Sequence, residues 1–117
     1  MPSQQVTLTQ EGPLFILSMK NGKNRFTTNF INEINAILDE IENIIKLENS
    51  KHSALITIGE GKFYSNGLDL EHALSTHGFF DNYYLKLLVR VLTFPIPIVA
   101  AINGHTFAGG FMFALAH

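Results

Sequence analysis

The sequence contains no cysteine and no tryptophan among its 117 residues, and it carries little charge. Without cysteine the chain has neither a disulfide framework nor a thiolate metal site, which fits a reducing compartment. Charged side chains make up 15% of the residues, with 8 basic and 10 acidic side chains and a formal net charge of -2. Because there is no basic surplus, we expect neither nucleic acid nor an anionic membrane surface as a partner.

Long hydrophobic runs are missing as well. The longest apolar stretch, Phe94–Ile102, is too short and too interrupted by proline to cross a bilayer. The N-terminus has no basic segment followed by an apolar core, so the sequence predicts no signal peptide. What the chain has instead is 46% hydrophobic residues, including ten phenylalanines. This composition favours a domain with a packed core over a disordered chain.

The first part of the chain predicts a hairpin followed by a long helix. Val6–Thr9 and Leu14–Leu17 are strand-like runs on either side of a turn at Gly12-Pro13, which indicates a β-hairpin. Thr28 or Asn29 is then in position to cap the N-terminus of the long helix. Its apolar residues recur every three or four positions and predict one buried stripe: Ile31, Ile34, Ile37, Leu38, Ile41, Ile44 and Ile45.

Two apolar segments further along, Ala54–Ile58 and Ile98–Ile102, have no polar face and predict buried parallel strands. Each is followed by a glycine-containing turn and then by a helical segment, and a further helix is expected over Tyr83–Leu92. The order of hairpin, helix, strand, helix, strand, helix predicts an α/β fold with parallel crossovers.

The two strand-to-helix turns are candidate ligand sites. In open α/β sheets, ligands bind beyond the carboxyl ends of the strands, and glycine lets a ligand approach the backbone there. The free N–H groups of a helix's first turn face such a ligand. Two neighbouring turns could aim two N–H groups at one oxygen, an arrangement suited to a thioester carbonyl that becomes an enolate. Glycine is also ordinary at strand-to-helix turns, so the pattern alone leaves a purely structural role open.

The residues at the turns are more specific. The first segment is Lys62-Phe63-Tyr64-Ser65-Asn66-Gly67-Leu68-Asp69-Leu70. The second runs from Pro95 to Gly110 and includes Asn103-Gly104-His105 and Gly109-Gly110. In this order, each after a buried strand, they resemble two segments of the crotonase (enoyl-CoA hydratase/isomerase) superfamily. The resemblance covers the whole chain and implies a crotonase-like spiral of βαβ units opened by a β-hairpin. Residues 1–117 would form an incomplete, N-terminal part of that domain, with the C-terminal half absent.

The resemblance also implies the site residues. In the superfamily the first segment wraps the CoA adenine, and each segment gives one backbone amide to the oxyanion hole. By position these amides belong to Leu68 and Gly109. A wider set of acyl-CoA-binding residues follows: Lys62, Tyr64, Ser65, Asn66, Gly67, Leu68, Asp69, Leu70, His105 and Gly110. The substrate carries the CoA, so no metal or redox cofactor is implied. The expected partners are an acyl-CoA or enoyl-CoA and further copies of the chain in a trimer-like homo-oligomer.

One branch of the superfamily matches best. Asn66 stands where alanine is most often found, and the Ser-Asn-Gly form with His105 after Asn103-Gly104 looks most like the Δ3-Δ2-enoyl-CoA isomerases of plants and fungi. Members of that branch shift a double bond from C3 to C2 of an unsaturated acyl-CoA during fatty-acid β-oxidation, commonly in peroxisomes. The resemblance therefore implies a peroxisomal location, with cytoplasm or mitochondrion as alternatives.

The departures from the family pattern matter equally. Hydratases have a catalytic glutamate at the position of Met112, which argues against water addition by two carboxylates. The isomerase needs one carboxylate, and in the family it lies past the position of His117. The apolar helix Phe107–Ala116 has no cap before the sequence stops, so we expect the parent chain to continue. A hydratase or CoA-thioester hydrolase of the superfamily stays open as an alternative, as does a non-catalytic shortened paralogue that binds acyl-CoA or a partner.

Several residues allow two interpretations. Asp69 could contact substrate or cap a helix, His105 could line the pocket or serve only the turn, and Lys62 could meet CoA phosphates or be a surface lysine. His72 and His77 do not predict a metal site, since no carboxylate or cysteine completes a ligand set. Four aromatic residues either cover the acyl chain or simply pack: Phe79, Phe80, Tyr83 and Tyr84.

Overall fold

The chain builds a four-stranded sheet, two pairs of short strands and several helices. The computed structural model describes residues 4–48 and 52–117. The strands are β1 Val6–Glu11, β2 Leu14–Met19, β3 Arg25–Phe26, β4 Ala54–Gly59, β5 Phe63–Ser65, β6 Gly67–Leu68, β7 Ile98–Ala101 and β8 His105–Thr106. The helices are α1 Thr28–Glu48, α2 Leu70–Ser75, α3 Leu85–Leu92 and α4 Gly109–Leu115, and a π-helical turn, Phe80–Tyr84, runs directly into α3. None of the helices in these ranges is long and apolar enough to cross a membrane.

The main sheet has four strands in the order β1-β2-β4-β7. Strands β1 and β2 pair antiparallel, which confirms the predicted hairpin. Strand β4 runs parallel to both β2 and β7, which confirms that the two predicted strands are parallel. The burial predicted for the second strand was wrong: none of the residues of β7 is buried and Val99 is exposed, because in the described ranges β7 is an edge strand that pairs only with β4. Strand β7 ends at Ala101, one residue earlier than expected. The carboxyl ends of β4 and β7 therefore lie side by side and bring their following turns together.

Helix α1 covers one face of the sheet with the predicted stripe. Its buried residues are Phe30, Ile31, Ile34, Ile37, Leu38 and Ile41, whereas Ile44 and Ile45 are half-buried. The predicted N-cap was wrong by one residue. The hydroxyl of Thr27 accepts the hydrogen bond from the Phe30 amide at 3.2 Å, because Thr28 already belongs to the helix. The Thr28 hydroxyl pairs with the His72 ring instead, at 2.7 Å.

Two pairs of very short strands tie the loops together, and periodicity did not predict them. Strand β3 pairs parallel with β6, and β5 pairs parallel with β8. Strands β3, β6 and β8 are only two residues long, so they have no repeat that a sequence pattern could reveal. These pairs fix the two glycine-containing segments against each other and against the loop before α1.

An aromatic cluster fills the core beneath these loops. The Phe26 ring lies 5.2 Å from Phe113, 5.5 Å from Tyr84 and 5.7 Å from Phe30, measured between ring centroids. All four of these side chains are fully buried. Phe26 stands on β3, Tyr84 on the π turn and Phe113 on α4, so the cluster joins the elements that carry the two turns. Aromatic pairs at such distances stabilise a core beyond their buried area.

Candidate functional site

The first glycine segment is held by buried polar contacts. The Ser65 hydroxyl donates to the Asn24 carbonyl at 2.7 Å and accepts from the Gly67 amide at 3.2 Å. Gly67 has a φ of +91°, which a side chain would strain. The Asp69 amide then donates to the Phe26 carbonyl at 3.0 Å. Because successive N–H groups of an extended strand point to opposite sides, the Leu68 N–H points away from β3.

Asn24 is the buried anchor of this segment, and the sequence analysis missed it. Its side-chain amide donates to the carbonyls of Phe63 and Tyr64 at 3.2 and 2.9 Å, and its Oδ1 accepts from the Asn21 amide at 2.9 Å. Its φ of +51° is left-handed, a conformation that asparagine adopts more readily than most residues. From the sequence, the polar run Lys20–Arg25 indicates only a loop with a turn at Asn21-Gly22. The one available signal for an anchor is an asparagine two residues after Gly22.

The second glycine segment forms a tight turn into α4. The Phe107 amide donates to the Ser65 carbonyl at 3.0 Å, and the Gly110 amide closes the turn on the Phe107 carbonyl at 2.8 Å. Ala108 occupies the first central position, with φ 47° and ψ -118°, values that are normally taken by glycine in a type II′ turn. In the part of the chain that the structure describes, the Gly109 amide has no acceptor.

The two segments bring the Leu68 and Gly109 amides together. A Cβ added to Gly67 would lie 3.0 Å from the Gly109 nitrogen, and one added to Gly109 would lie 3.4 Å from the Leu68 nitrogen. Glycine at both positions therefore keeps this gap open. A Cβ on Gly110 would approach the Ser65 carbonyl oxygen to 2.3 Å, so that glycine serves the close packing of α4 on β5.

Leu68 and Gly109 both line a cavity of about 180 Å³. Its lining is mostly apolar and consists of Asn66, Leu68, Leu70, Phe80, Tyr84, Ala108, Gly109 and Met112. None of these lining residues carries a carboxylate, an imidazole or a basic group. A larger and more polar cavity of about 480 Å³ adjoins it, shares Asn66, Leu68 and Leu70 with it, and is otherwise lined by Arg25, Asp69 and Glu71.

Tyr84 borders the small cavity and contacts the second turn. Its hydroxyl donates a hydrogen bond to the Gly109 carbonyl, while its ring is fully buried. Burial raises the pKa of Tyr84 to about 12, so the phenol stays protonated and remains a donor across the physiological range. Phe80 also lines the cavity, whereas Phe79 is buried in the core. Cover of an acyl chain by any of the four aromatic residues stays a prediction.

Other predicted site residues support the loops. The Tyr64 hydroxyl pairs with Thr57 at 2.7 Å in the core, and burial raises the pKa of Tyr64 above its usual value. The Asp69 carboxylate accepts from the His72 amide at 3.0 Å, which confirms its role as the N-cap of α2. Substrate contacts by Tyr64, Ser65 and Asp69 stay predictions, as they do for the cavity-lining Asn66 and Leu70.

Lys62 and His105 lie on the outer face of the site. The Lys62 carbonyl accepts from the His105 amide at 2.9 Å, and both side chains are exposed. The His105 ring stacks on Phe107 with centroids 5.9 Å apart and tilts against Phe63 at 5.1 Å. Neither Lys62 nor His105 lines the small cavity. Either residue could therefore contact only a part of the substrate that lies outside this cavity.

A partly buried hydrogen-bond network lies at the C-terminal end of α4. His117 Nδ1 pairs with the Phe113 carbonyl at 2.8 Å, and Nε2 pairs with the Thr57 hydroxyl at 2.7 Å. Burial lowers the pKa of His117 despite the opposing contact with Phe113. A neutral ring that donates from Nδ1 and accepts at Nε2 satisfies both contacts.

Across residues 4–48 and 52–117 no group of three or more metal-ligating side chains occurs. The His72 ring forms a hydrogen bond with the Thr28 hydroxyl.

Solved proteins share this fold. A methylmalonyl-CoA decarboxylase superposes with a TM-score of 0.76 at 20% identity, over 99% of this chain and 43% of its own. An enoyl-CoA isomerase of Mycobacterium tuberculosis superposes with a TM-score of 0.77 at 26% identity, over 93% of this chain and 47% of its own. The fold and the paired glycine turns thus define the class, a crotonase-fold protein, as expected.

The sequence pattern of the enoyl-CoA hydratase/isomerase family matches residues 11–117, and the chain belongs to that family. Enoyl-CoA delta isomerase 3 of Arabidopsis thaliana is 38% identical over 95% of this chain and 48% of its own length. The peroxisomal enoyl-CoA delta isomerase 2 of the same plant is 33% identical over 95% and 49%. A probable enoyl-CoA hydratase of Bacillus subtilis is 32% identical over 80% and 36%. The chain spans at most about half the length of these relatives.

Proposed function

We propose that this chain is the acyl-CoA-binding part of a Δ3-Δ2-enoyl-CoA isomerase. The observation that supports the proposal is that Leu68 and Gly109, whose backbone nitrogens lie close together, both line one apolar cavity. The two donors come from separate turns, and both are backbone groups. A thioester oxygen placed between them would accept two hydrogen bonds without any side chain having to move.

The chemistry follows from that placement. A base takes the proton from C2, the electron pair enters the conjugated system, and negative charge collects on the thioester oxygen as a dienolate forms. The double bond then lies between C2 and C3 once the proton returns to C4. Each preorganised donor at such an oxygen typically contributes ~3–4 kcal/mol of transition-state stabilisation. The base would be a carboxylate beyond His117, as the family resemblance implies.

Met112 favours isomerisation over hydration. It lines the cavity beside Gly109, at the position where hydratases have a glutamate. A thioether can neither activate water nor protonate a carbon, whereas a double-bond shift needs only one carboxylate. A site with a single acid–base group is therefore suited to moving a proton within the substrate and poorly suited to adding water.

The cellular context of the proposal follows the relatives. Two Arabidopsis enoyl-CoA delta isomerases are named as peroxisomal, which supports a peroxisomal location. A role in fatty-acid β-oxidation is proposed from the family resemblance. The substrate would bring its own CoA, and no resident metal or redox cofactor is proposed. A trimer-like homo-oligomer of the full-length chain is the expected assembly.

Competing rates test the proposal. The full-length protein is assayed for conversion of a 3-enoyl-CoA and, separately, for hydration of the matching 2-enoyl-CoA. General acid–base assistance is typically worth ~10²–10⁴-fold, so isomerisation should exceed hydration by a margin of that order. Equal rates on the two substrates would assign the protein to the hydratase group, and binding without turnover of either would favour the non-catalytic alternative.

A further inference from the structure

Tyr84 and Gly109 form the contact that links the aromatic core to the second turn. Tyr84 ends the π-helical turn, and its ring packs between Phe26 and Phe80 at centroid distances of 5.5 and 5.7 Å. Because the ring is fully buried, its hydroxyl has little freedom to leave the Gly109 carbonyl. The contact joins residues 25 positions apart.

The second turn needs such support. Ala108 has a φ of 47° and a ψ of -118°, a combination that strains any residue with a Cβ. A strained turn persists only where its surroundings hold it in place. The Gly110 amide fixes one side of the turn on the Phe107 carbonyl. The Tyr84 hydroxyl fixes the carbonyl of Gly109 itself, the residue whose amide faces the cavity.

The geometry points to Tyr84 as a positioning residue, which holds Gly109 so that its N–H stays directed at the thioester oxygen. This inference rests on the proposed function. It assigns the role to the Tyr84 hydroxyl and not to the ring, which packs against Phe26 and Phe80. The hydroxyl proton is engaged by the Gly109 carbonyl, so Tyr84 acts through the backbone and transfers no proton to the substrate.

The change Tyr84→Phe in the full-length protein isolates that hydroxyl. It keeps the buried ring and the cavity wall and removes only the donor. If the Gly109 amide loses its alignment, kcat should fall roughly 10- to 100-fold, the scale on which misplaced groups act, while KM changes little. A conjugated aryl-acryloyl-CoA supplies a direct readout, because hydrogen bonds to its carbonyl shift its absorbance to longer wavelength. That shift should be present with the wild-type protein and much smaller with Tyr84→Phe.

Thr57→Val is the matched control. It removes another buried hydroxyl, one that contacts Tyr64 and His117 near the opposite end of α4. Both variants should lose stability, yet only Tyr84→Phe should lose the absorbance shift and turnover. Equal effects of the two variants on kcat and on absorbance would reduce Tyr84 to a core residue and overturn the inference.

Gly109→Ala approaches the same contact from the other side. Its methyl group would lie 3.0 Å from the Tyr84 hydroxyl and should displace it. We expect a loss of kcat and of the shift at least as large as in Tyr84→Phe, because the added methyl group also lies 3.4 Å from the Leu68 nitrogen. The losses should be less than additive when both changes are combined, because each already removes the Tyr84 contact. If Tyr84→Phe does not fold, a folded Gly109→Ala with full turnover and an intact shift overturns the inference. A wild-type protein with neither isomerase activity nor a shift refutes the proposed function instead.

Discussion

The hydroxyl of Ser65 donates a hydrogen bond to the main-chain carbonyl of Asn24, 41 residues earlier in the chain, at 2.7 Å. Ser65 precedes the residues that present the Leu68 amide, and its own carbonyl accepts from Phe107 at the second turn. One serine therefore contacts both the anchor before α1 and the turn before α4. The two candidate oxyanion donors share this support, although they come from separate parts of the chain.

Substitution of Asn24 should destabilise the full-length protein through two separable effects. Asn24→Gly keeps the positive φ but leaves the carbonyls of Phe63 and Tyr64 without their donor, at a cost of about 1–3 kcal/mol. Asn24→Ala adds backbone strain of roughly 1–2 kcal/mol. Denaturant unfolding should rank the wild type above Asn24→Gly and Asn24→Ala last. The exposed Asn29→Ala is the control, and an Asn24→Ala as stable as this control would contradict the prediction.

Removal of the Gly109 amide should slow isomerisation without changing the fold. A backbone ester at this position, made by semisynthesis of the full-length protein, replaces the N–H by an oxygen and leaves the turn intact. The loss of one oxyanion donor should lower kcat by ~10²–10³-fold. An ester at the exposed Leu92, on α3, serves as the control for the chemistry. Near-full turnover of a folded Gly109 ester would leave Gly109 as a turn residue only.

Protonation of His117 should weaken the fold as the pH falls. Burial lowers its pKa in the folded protein below the usual 6.5, so the unfolded chain takes up the proton first. Below about pH 6.5 the unfolded state binds more protons, and the free energy of unfolding falls as the pH drops towards the folded-state pKa. Above this range the ring is neutral in both states and contributes no pH dependence. Urea unfolding between about pH 5 and pH 7.5 measures the effect.

His117→Gln should be less stable than the wild type at neutral pH, because the Thr57 and Phe113 contacts change. Its stability should nevertheless vary less over the same pH range. His52→Gln provides the comparison, since His52 is exposed. A His117→Gln variant that retained the full acid-induced loss of the wild type would assign that loss to other groups.

Residues 1–117 expressed alone should self-associate. In the described ranges β7 pairs on one side only, with β4, and several large apolar side chains nearby are exposed: Leu92, Val99, Ile102, Phe111 and Leu115. A free strand edge beside apolar surface invites intermolecular pairing. Sedimentation should detect oligomers, and Val99→Lys should reduce them. A single monomer boundary in sedimentation, together with cooperative thermal unfolding, would contradict the predicted self-association.

Periodicity predicted the long elements because burial imposes it. The stripe on α1 repeats over enough residues to be recognised from the sequence alone. The continuous apolar runs indicated β4 and β7 as strands, although β7 is not buried. The position of the cap was missed because Thr27, Thr28 and Asn29 are all competent capping residues. Which of these side chains accepts the capping hydrogen bond depends on where the preceding strand ends.

The supports of the site could not be predicted in this way. Asn24 and Tyr84 act through contacts with residues 39 and 25 positions away, respectively, and no local pattern records them. The family resemblance supplied Leu68 and Gly109 as candidates from their place in two motifs. It did not indicate which side chains hold those amides. A polar loop and an aromatic helix have the same residue types whether or not they lie at a ligand site.

The paired short strands also bear on when the site forms during synthesis. The loop before α1, the first glycine segment and the second glycine segment must all be present before the Leu68 and Gly109 amides can face each other. Such non-local pairings require loop closure over long stretches of chain and form late in folding. A nascent chain that ends before Phe107 has the Leu68 amide but lacks the Gly109 amide that lies opposite it. On the proposed function, the growing chain would recognise acyl-CoA only after both glycine segments have been synthesised and paired.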